Sequence, residues 1–319
     1  MLAAISPSVK LSLKAKIGVF FLELLLFPLA RLPRRLWLWA GRLLGLTLAK
    51  FWPRRRIIAE NNIARAQQAG FLPPTLNARA TARKVFQNVC ASFMEVIYLH
   101  MRGFAAFQGL WDLRGRENLE EAYRLARERH AGTILLTAHV GAWELAPHIL
   151  LAEFGIPIVT VGRTQGSAVL DSLLIQTRTE GGNGFIFKDR GVREMLKVLH
   201  SGGVIGTLFD QAAMVEREAA PLAFMGRTAH TNLGPVKLAA KTRSPLVPLF
   251  GRRDRARLIL EIFPSLPPPL APDPEWIPQA AQELNDILGA FVQKYPEEWL
   301  WLHRRWKTPE GLKNDPRSF

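Results

Sequence analysis

Cysteine is almost absent from this sequence, which contains one, Cys90, in 319 residues. A single cysteine cannot form an internal disulfide or a cysteine zinc site, and it fits a reducing compartment. Tyrosine is scarce too, with 3 residues, which argues against the exposed aromatic platforms on which single-stranded nucleic acids stack. Acidic residues are in deficit: 27 Asp and Glu face 42 Lys and Arg, giving a formal net charge of +15. This charge indicates nucleic acid, an anionic membrane face or an acidic partner, unless it serves solubility alone.

A clean membrane-spanning run is also missing. The apolar stretch 17–30 has 14 residues and contains Glu23 and Pro28, and a second stretch, 36–52, contains two cations, whereas a spanning helix needs about 20 apolar residues. A cleaved signal peptide is a rival, but no small-residue cleavage site follows. Basic residues flank both stretches and tryptophans lie among them. We therefore expect an uncleaved helical membrane anchor over residues 1–57, embedded in or lying on the cytoplasmic face of the membrane. A buried helical hairpin is the alternative.

The remaining residues, 58–319, alternate short apolar runs with helix-like stretches. This alternation predicts an α/β domain with a mostly parallel central sheet flanked by helices. Ligands of such sheets lie beyond the carboxyl ends of the strands. His139 directly follows the apolar run 133–138, and Asp210 directly follows the run 204–209. We therefore expect both polar side chains at one edge of the sheet.

The stretch HVGAWE leaves the first of these runs and enters a predicted helix over residues 142–154. We expect Glu144, on the first helical turn, to hold one imidazole nitrogen of His139 and to leave the other as a general base. The helix amino terminus would favour an ionised glutamate and a developing oxyanion. Since no serine or cysteine lies beside the pair, it suits direct transfer to a substrate hydroxyl. A histidine in a turn followed by a helix-start charge is the structural alternative.

Several blocks in fixed order carry a family resemblance: HVGAWE at 139–144, RTEGGNG at 178–184, GTLFDQ at 206–211, the long block 224–250, and YPEEWLWLHRRWKT at 295–308. They resemble the bacterial lipid A late acyltransferase family, within the glycerolipid acyltransferase superfamily that shares the motif H-x-x-x-x-[DE]. With the basic apolar amino terminus, the resemblance spans nearly the whole chain. It implies the fold of glycerol-3-phosphate acyltransferases.

The resemblance also implies roles for individual side chains. His139 becomes the catalytic base and Glu144 its orienting partner. Arg178 becomes a substrate-binding cation for a phosphate or the thioester oxygen, while Asp210 and Gln211 match an Asp-Gln element at the sheet edge. Structural alternatives stay open: Arg178 as a helix-end cation and Asp210 as a loop cap.

Two further regions have weaker assignments. Arg163 follows the predicted strand 157–161 and is a second candidate for phosphate binding. In the closing block, three tryptophans accompany Arg304 and Arg305. Because tryptophan is mostly buried, we expect these rings to pack inside, with the arginines as a solvated basic rim. The alternative is that this block faces lipid or phosphate.

The family implies transfer of a fatty acyl chain from an acyl carrier protein thioester to a hydroxyl of a lipid A precursor, at the bacterial inner membrane. It implies no metal and no cofactor. An acidic carrier and an anionic lipid in an anionic bilayer would both explain the net charge. Three alternatives remain: acylation of another phospholipid or glycolipid with acyl-coenzyme A, a basic nucleic-acid-binding protein, and a membrane-attached scaffold.

Overall fold

The computed structural model describes residues 13–188, 191–213 and 218–306, apart from the side chain of Lys14. Residues 1–12 of the predicted anchor and 307–308 of the closing block lie outside the described residues. The helices are α1 Leu13–Ala30, α2 Arg34–Phe51, α3 Pro53–Gln68, α4 Ala78–Arg102, α5 Arg116–Glu128, α6 Ala146–Phe154, α7 Ala168–Thr179, α8 Val192–His200, α9 Gly234–Thr242 and α10 Trp276–Lys294. The strands are β1 Trp111–Arg114, β2 Thr133–Thr137, β3 Ile158–Gly162, β4 Gly184–Phe187, β5 Val204–Leu208, β6 Ala219–Phe224, β7 Arg227–Asn232, β8 Leu246–Asp254 and β9 Arg257–Ile262.

Seven strands form the central sheet in the order β1-β9-β8-β2-β5-β3-β4. All neighbouring pairs in this sheet are parallel except β8 and β9, which form an antiparallel hairpin. Strands β6 and β7 form a separate antiparallel ribbon. The predicted α/β architecture with a mostly parallel sheet is therefore confirmed.

Strand β2 lies in the middle of the sheet and is buried on both faces. Ile134 and Leu136 point into one apolar cluster, which α9 and α10 cover. Leu135 points into a second cluster on the opposite face, which α5 and α6 cover. A strand covered on both faces reads as a continuous apolar run, as this one does.

The first two helices pack on the domain along one side and face solvent along the other. Helix α2 approaches α4 closely because it carries glycine at the contact: a Cβ on Gly45 would lie 2.5 Å from the carbonyl oxygen of Phe86. The outer face exposes large apolar side chains, among them Phe20, Phe21, Leu24, Leu25, Trp39, Leu43, Leu44 and Phe51. A hairpin buried inside a soluble core would cover these groups.

None of the helices in the described ranges combines the length and apolar character that crossing a membrane requires. The amino-terminal segment is helical, as expected. Its attachment to a membrane stays a prediction.

Candidate active site

The site begins where two neighbouring strands end together. Strands β2 and β5 are parallel and in register, with Thr137 opposite Leu208. Each strand is followed by one buried apolar residue and then by a polar one, so that His139 and Asp210 meet at the carboxyl edge. The Nδ1 atom of His139 lies 2.9 Å from Oδ1 of Asp210, and the backbone N–H of His139 donates to Oδ2 at 3.2 Å. The predicted juxtaposition of these two side chains is found.

Asp210 has a further partner that the sequence analysis did not identify. The indole Nε1–H of Trp299 donates to Oδ2 of Asp210 at 2.9 Å. The chain around Trp299 also forms a bridge with Val140, and the N–H of Leu300 donates to the carbonyl oxygen of His139 at 2.9 Å. The closing segment therefore holds both the histidine turn and the aspartate. A tryptophan-rich terminal block was the available signal, but a sequence does not show which polar atom an indole reaches.

Glu144 does not hold the imidazole, contrary to the expectation from its spacing. It lies in a short 3-10 turn, Trp143–Leu145, before helix α6 begins at Ala146. Its carboxylate accepts two hydrogen bonds from Arg178, Nε to Oε2 at 2.8 Å and Nη2 to Oε1 at 2.6 Å. Asp210 takes the position beside Nδ1 that was assigned to Glu144.

The reason lies in the turn between the two residues. Gly141 has a φ of +54°, which favours glycine, and a Cβ there would lie 2.4 Å from the carbonyl oxygen of Gly251. The Gly141 peptide is fixed on both sides, because its carbonyl accepts from Ser92 Oγ at 2.7 Å and its N–H donates to the carbonyl of Glu298 at 2.9 Å. This tight turn, followed by the 3-10 turn, directs the glutamate towards α7, which carries Arg178.

The charges around the imidazole favour its protonated form. Burial opposes protonation of His139, but the charge and hydrogen bond of Asp210 outweigh burial, and the charge of Glu144 adds to them, so the pKa of His139 lies above its ordinary value. The imidazole in turn holds the pKa of Asp210 below its usual range despite complete burial of that carboxylate. Arg178 likewise lowers the pKa of Glu144 against the effect of burial. Both carboxylates are therefore ionised at neutral pH.

The second imidazole nitrogen faces outward. The side chain of His139 is 19% exposed, whereas that of Asp210 is fully covered. Among the described residues, the one polar contact of Nε2 of His139 is the side-chain amide nitrogen of Gln211, at 3.5 Å. Gln211 is exposed. Gln211 thus lies where a substrate hydroxyl would approach. Arg163 lies exposed just past the carboxyl end of β3, on the same sheet edge.

A narrow cavity of about 50 Å³ lies beside the glutamate–arginine pair. It runs between the sheet and α6, and most of its lining is aliphatic, including Leu135, Leu150, Ile158, Val161 and Leu208. Its volume is below the range of about 300–1,000 Å³ that is usual for ligand pockets. Long hydrocarbon would therefore enter only as these side chains move apart.

The closing block differs from expectation in its arginines. Trp299 and Trp301 are fully buried, as predicted, but Arg305 is buried as well instead of forming a solvated rim. Its guanidinium donates to the carbonyl of His230 and to Thr231 Oγ1, both at 2.9 Å, and lies 4.7 Å from the ring centroid of Phe224. These partners replace the water that the sequence analysis had assigned to it.

Direct transfer is the chemistry that this arrangement supports. Cys90 is buried, and burial raises the pKa of its thiol to about 11, so it is not an activated nucleophile. Across residues 13–188, 191–213 and 218–306, no cluster of three or more His, Cys, Asp or Glu is placed to hold a metal ion. The imidazole of His139 has one nitrogen held by a buried carboxylate and the other accessible, an arrangement that suits a general base.

Comparisons with known proteins agree with one another. The family described as bacterial lipid A biosynthesis acyltransferase matches residues 7–308. A lipid A biosynthesis acyltransferase of Haemophilus influenzae is 25% identical over 296 residues, covering 92% of this chain and 87% of that protein. A lipid A biosynthesis lauroyltransferase of Escherichia coli is 24% identical, covering 84% and 85%. A palmitoleoyltransferase of the same organism is 22% identical, covering 86% and 89%.

Among solved structures, the chain is similar to a 1-acyl-sn-glycerophosphate acyltransferase from Thermotoga maritima. The similarity covers 83% of this chain and 99% of that one, with 13% identity and a TM-score of 0.36. This value is too low to establish a shared fold.

Proposed function

The chain belongs to the bacterial lipid A biosynthesis acyltransferase family and is an acyltransferase; we propose that it moves a fatty acyl chain from a thioester donor to a hydroxyl of a lipid A precursor, with His139 as the general base. The observation that carries the proposal is the hydrogen bond from Nδ1 of His139 to the buried Asp210, at 2.9 Å. This contact fixes the tautomer in which Nε2 carries the free lone pair.

The proposed reaction proceeds without an acyl-enzyme. Nε2 of His139 removes the proton of the acceptor hydroxyl while its oxygen attacks the thioester carbonyl carbon. The tetrahedral intermediate then collapses, the carbon–sulfur bond breaks, and the imidazolium returns its proton to the leaving thiolate. The products are an ester and a thiol. Asp210 stabilises the imidazolium between the two proton transfers, as its effect on the pKa of His139 requires.

Glu144 and Arg178 have a different part in this proposal. Both side chains of this ion pair line the aliphatic cavity, so we assign them to positioning the acyl thioester beside it. Two of the guanidinium nitrogens of Arg178 already donate to Glu144. The pair therefore offers the thioester oxygen a dipole instead of a free cation, which revises the charge assigned to Arg178 from sequence.

Acyl carrier protein is the donor that we propose, because the resemblance to the lipid A late acyltransferases implies it and the net charge of +15 suits an acidic partner. Arg163 and Gln211 remain proposed substrate contacts at the exposed edge. Two of the relatives carry lauroyl and palmitoleoyl in their names, so membership of the family does not select one acyl chain.

We place the enzyme on the cytoplasmic face of the bacterial inner membrane. The support is the outer face of α1 and α2, where large apolar side chains are exposed, together with the arginines that flank them. Such a face suits a helix pair that lies in the membrane interface. Membranes washed with high salt should retain the protein, and detergent should release it. Release by salt alone would contradict this placement and indicate a purely electrostatic attachment.

The transfer itself is tested with the purified full chain, a lipid A precursor and palmitoyl or lauroyl thioesters of acyl carrier protein and of coenzyme A. We expect an ester product by mass spectrometry, formed faster with the carrier protein. His139→Ala should reduce the rate by about 10²–10⁴-fold, the usual contribution of a general base. His200→Ala removes an exposed imidazole from α8 and serves as the matched control. Full activity of His139→Ala would contradict the assignment of His139 as the general base.

A further inference from the structure

A second pocket lies where α2 ends and where α3 and α4 begin. It has a volume of about 360 Å³, within the range usual for small-ligand sites. Its lining consists of Leu46 and Ala49 together with Lys50, Arg56, Arg79 and Arg83. None of these residues belongs to the His139 centre or lines the cavity beside Glu144. The pocket is therefore a separate feature of the molecule.

Three of the four cations that line this pocket lack a compensating carboxylate among the described residues. Arg79 and Arg83 are exposed on one face of α4, four residues apart, and Lys50 is exposed in the last turn of α2. Within the part of the chain that the structure describes, none of the three forms an ion pair with a carboxylate. Like charges at this spacing destabilise a helix. An anion between them would remove that repulsion.

Arg56 is the half-buried member of the four cations and is already held in place. Its Nη1 donates to the carbonyl of Ala49 at 3.2 Å, and its Nε lies 3.3 Å from Oε1 of Glu60. This pairing neutralises one of the four cations and leaves three. Two arginine forks and an ammonium match the oxygens of a phosphate group, which accepts bidentate hydrogen bonds from guanidinium.

The apolar surroundings of the pocket indicate which class of anion fits it. Leu46 lines the pocket and is 42% exposed, and Leu43 and Leu44 continue the exposed apolar face of α2. A free inorganic anion would leave this apolar surface in water. An amphiphile would cover it while placing its charge among the arginines.

We propose that the pocket formed by Lys50, Arg56, Arg79 and Arg83 binds the phosphate of an anionic lipid headgroup, with the lipid's hydrocarbon lying along α2. The site would fix the orientation of the enzyme relative to the lipid surface. The transfer chemistry assigned to His139 does not depend on this site, so each of the two proposals is tested on its own.

Calorimetric titration of the full chain in neutral detergent tests this site with three probes: dihexanoyl phosphatidic acid, inorganic phosphate and dihexanoylglycerol. We expect the phosphatidic acid to bind most tightly, with an affinity that falls as salt is added. The double variant Arg79→Gln/Arg83→Gln should weaken its binding by about tenfold or more, since two charge-assisted contacts are lost. The matched control, Arg193→Gln/Lys197→Gln, removes two exposed cations with the same spacing from α8 and should bind as the wild type does.

Each contrary outcome overturns a stated part of the proposal. Equal affinity of the double variant and the wild type for the phosphatidic acid would show that Arg79 and Arg83 do not bind its phosphate. Equal affinity for inorganic phosphate would make the pocket a free-phosphate site, and equal affinity for dihexanoylglycerol would make it purely apolar. Melting temperatures show whether the double variant is folded. If the double variant is unfolded, the same titration is carried out with Lys50→Gln, which changes one exposed side chain. Weaker binding of the phosphatidic acid is then expected, and unchanged binding would overturn the proposal.

Discussion

At the scale of single residues, two buried carboxylates act on one imidazole in different ways. Asp210 contacts Nδ1 of His139 directly. Glu144 acts on the imidazole through its charge alone, because its oxygens accept hydrogen bonds from Arg178. Each ionised carboxylate favours the imidazolium, and the cation of Arg178 opposes it. Three charged side chains therefore shift the pKa of His139, and one of them, Asp210, is hydrogen-bonded to the imidazole.

Glu144→Gln tests the ion pair. The pair is mostly covered, with side chains 12% and 16% exposed, so leaving Arg178 without its partner should cost about 3–5 kcal/mol of unfolding free energy. Denaturant unfolding measures this cost. The double variant Glu144→Gln/Arg178→Gln should recover part of it, because no charge is then left buried alone.

Glu121→Gln provides the control for that experiment. It breaks an exposed ion pair with Arg124 on α5, and such pairs contribute little to stability. If Glu144→Gln lowered the unfolding free energy no more than this control does, the pair of Glu144 and Arg178 would not stabilise the structure around the cavity.

The sequence could predict that His139 and Asp210 lie together, because both directly follow apolar runs that become neighbouring parallel strands. It could not predict which carboxylate reaches the imidazole. That choice depends on the positive φ of Gly141 and on the 3-10 turn that follows, which rotate Glu144 towards Arg178. Spacing along the chain does not determine such a rotation.

At the scale of elements, the closing segment 295–306 holds the site together without supplying a reacting group. Trp299 donates to Asp210, and the backbone of this segment pairs with the turn that carries His139. The usual behaviour of tryptophan predicts the buried rings. The sequence did not predict the buried Arg305, because its carbonyl and hydroxyl partners come from β7, more than seventy residues earlier in the chain.

Trp299→Phe removes one hydrogen bond and keeps an aromatic ring. Since the buried Asp210 then loses a donor, we expect a loss of about 1–3 kcal/mol in unfolding free energy and a slower transfer reaction. The matched control is Trp301→Phe, whose Nε1–H donates to the carbonyl of Pro296 at 2.6 Å and does not contact Asp210.

The two variants separate stability from catalysis. Both should lower the free energy of unfolding, measured by denaturant titration, but only Trp299→Phe should alter the pH dependence of transfer, because only it changes the surroundings of Asp210. An unchanged pH profile in Trp299→Phe would mean that the closing segment supports the fold alone.

At the scale of the whole molecule, charge and apolar surface coincide on the same side of the chain's first helices. The excess of 15 positive charges was evident from composition, but the sequence could not show that Lys50, Arg79 and Arg83 converge on one pocket from separate helices. Nor could it show that glycines let α2 dock closely on α4 and so turn the opposite face outward. The proposed membrane face and the proposed lipid-phosphate pocket both follow from that docking.

Measuring kcat/KM for acyl transfer against pH, in the wild type and in Asp210→Asn, tests the central claim most directly. A base acts when deprotonated, so the wild-type rate should rise with pH through an apparent pKa above about 6.5, the ordinary value for histidine. Because the charge of Asp210 raises that pKa, Asp210→Asn should shift the rise to lower pH and reduce the plateau. An identical inflection in both proteins, or a rate that falls as His139 loses its proton, would contradict the account.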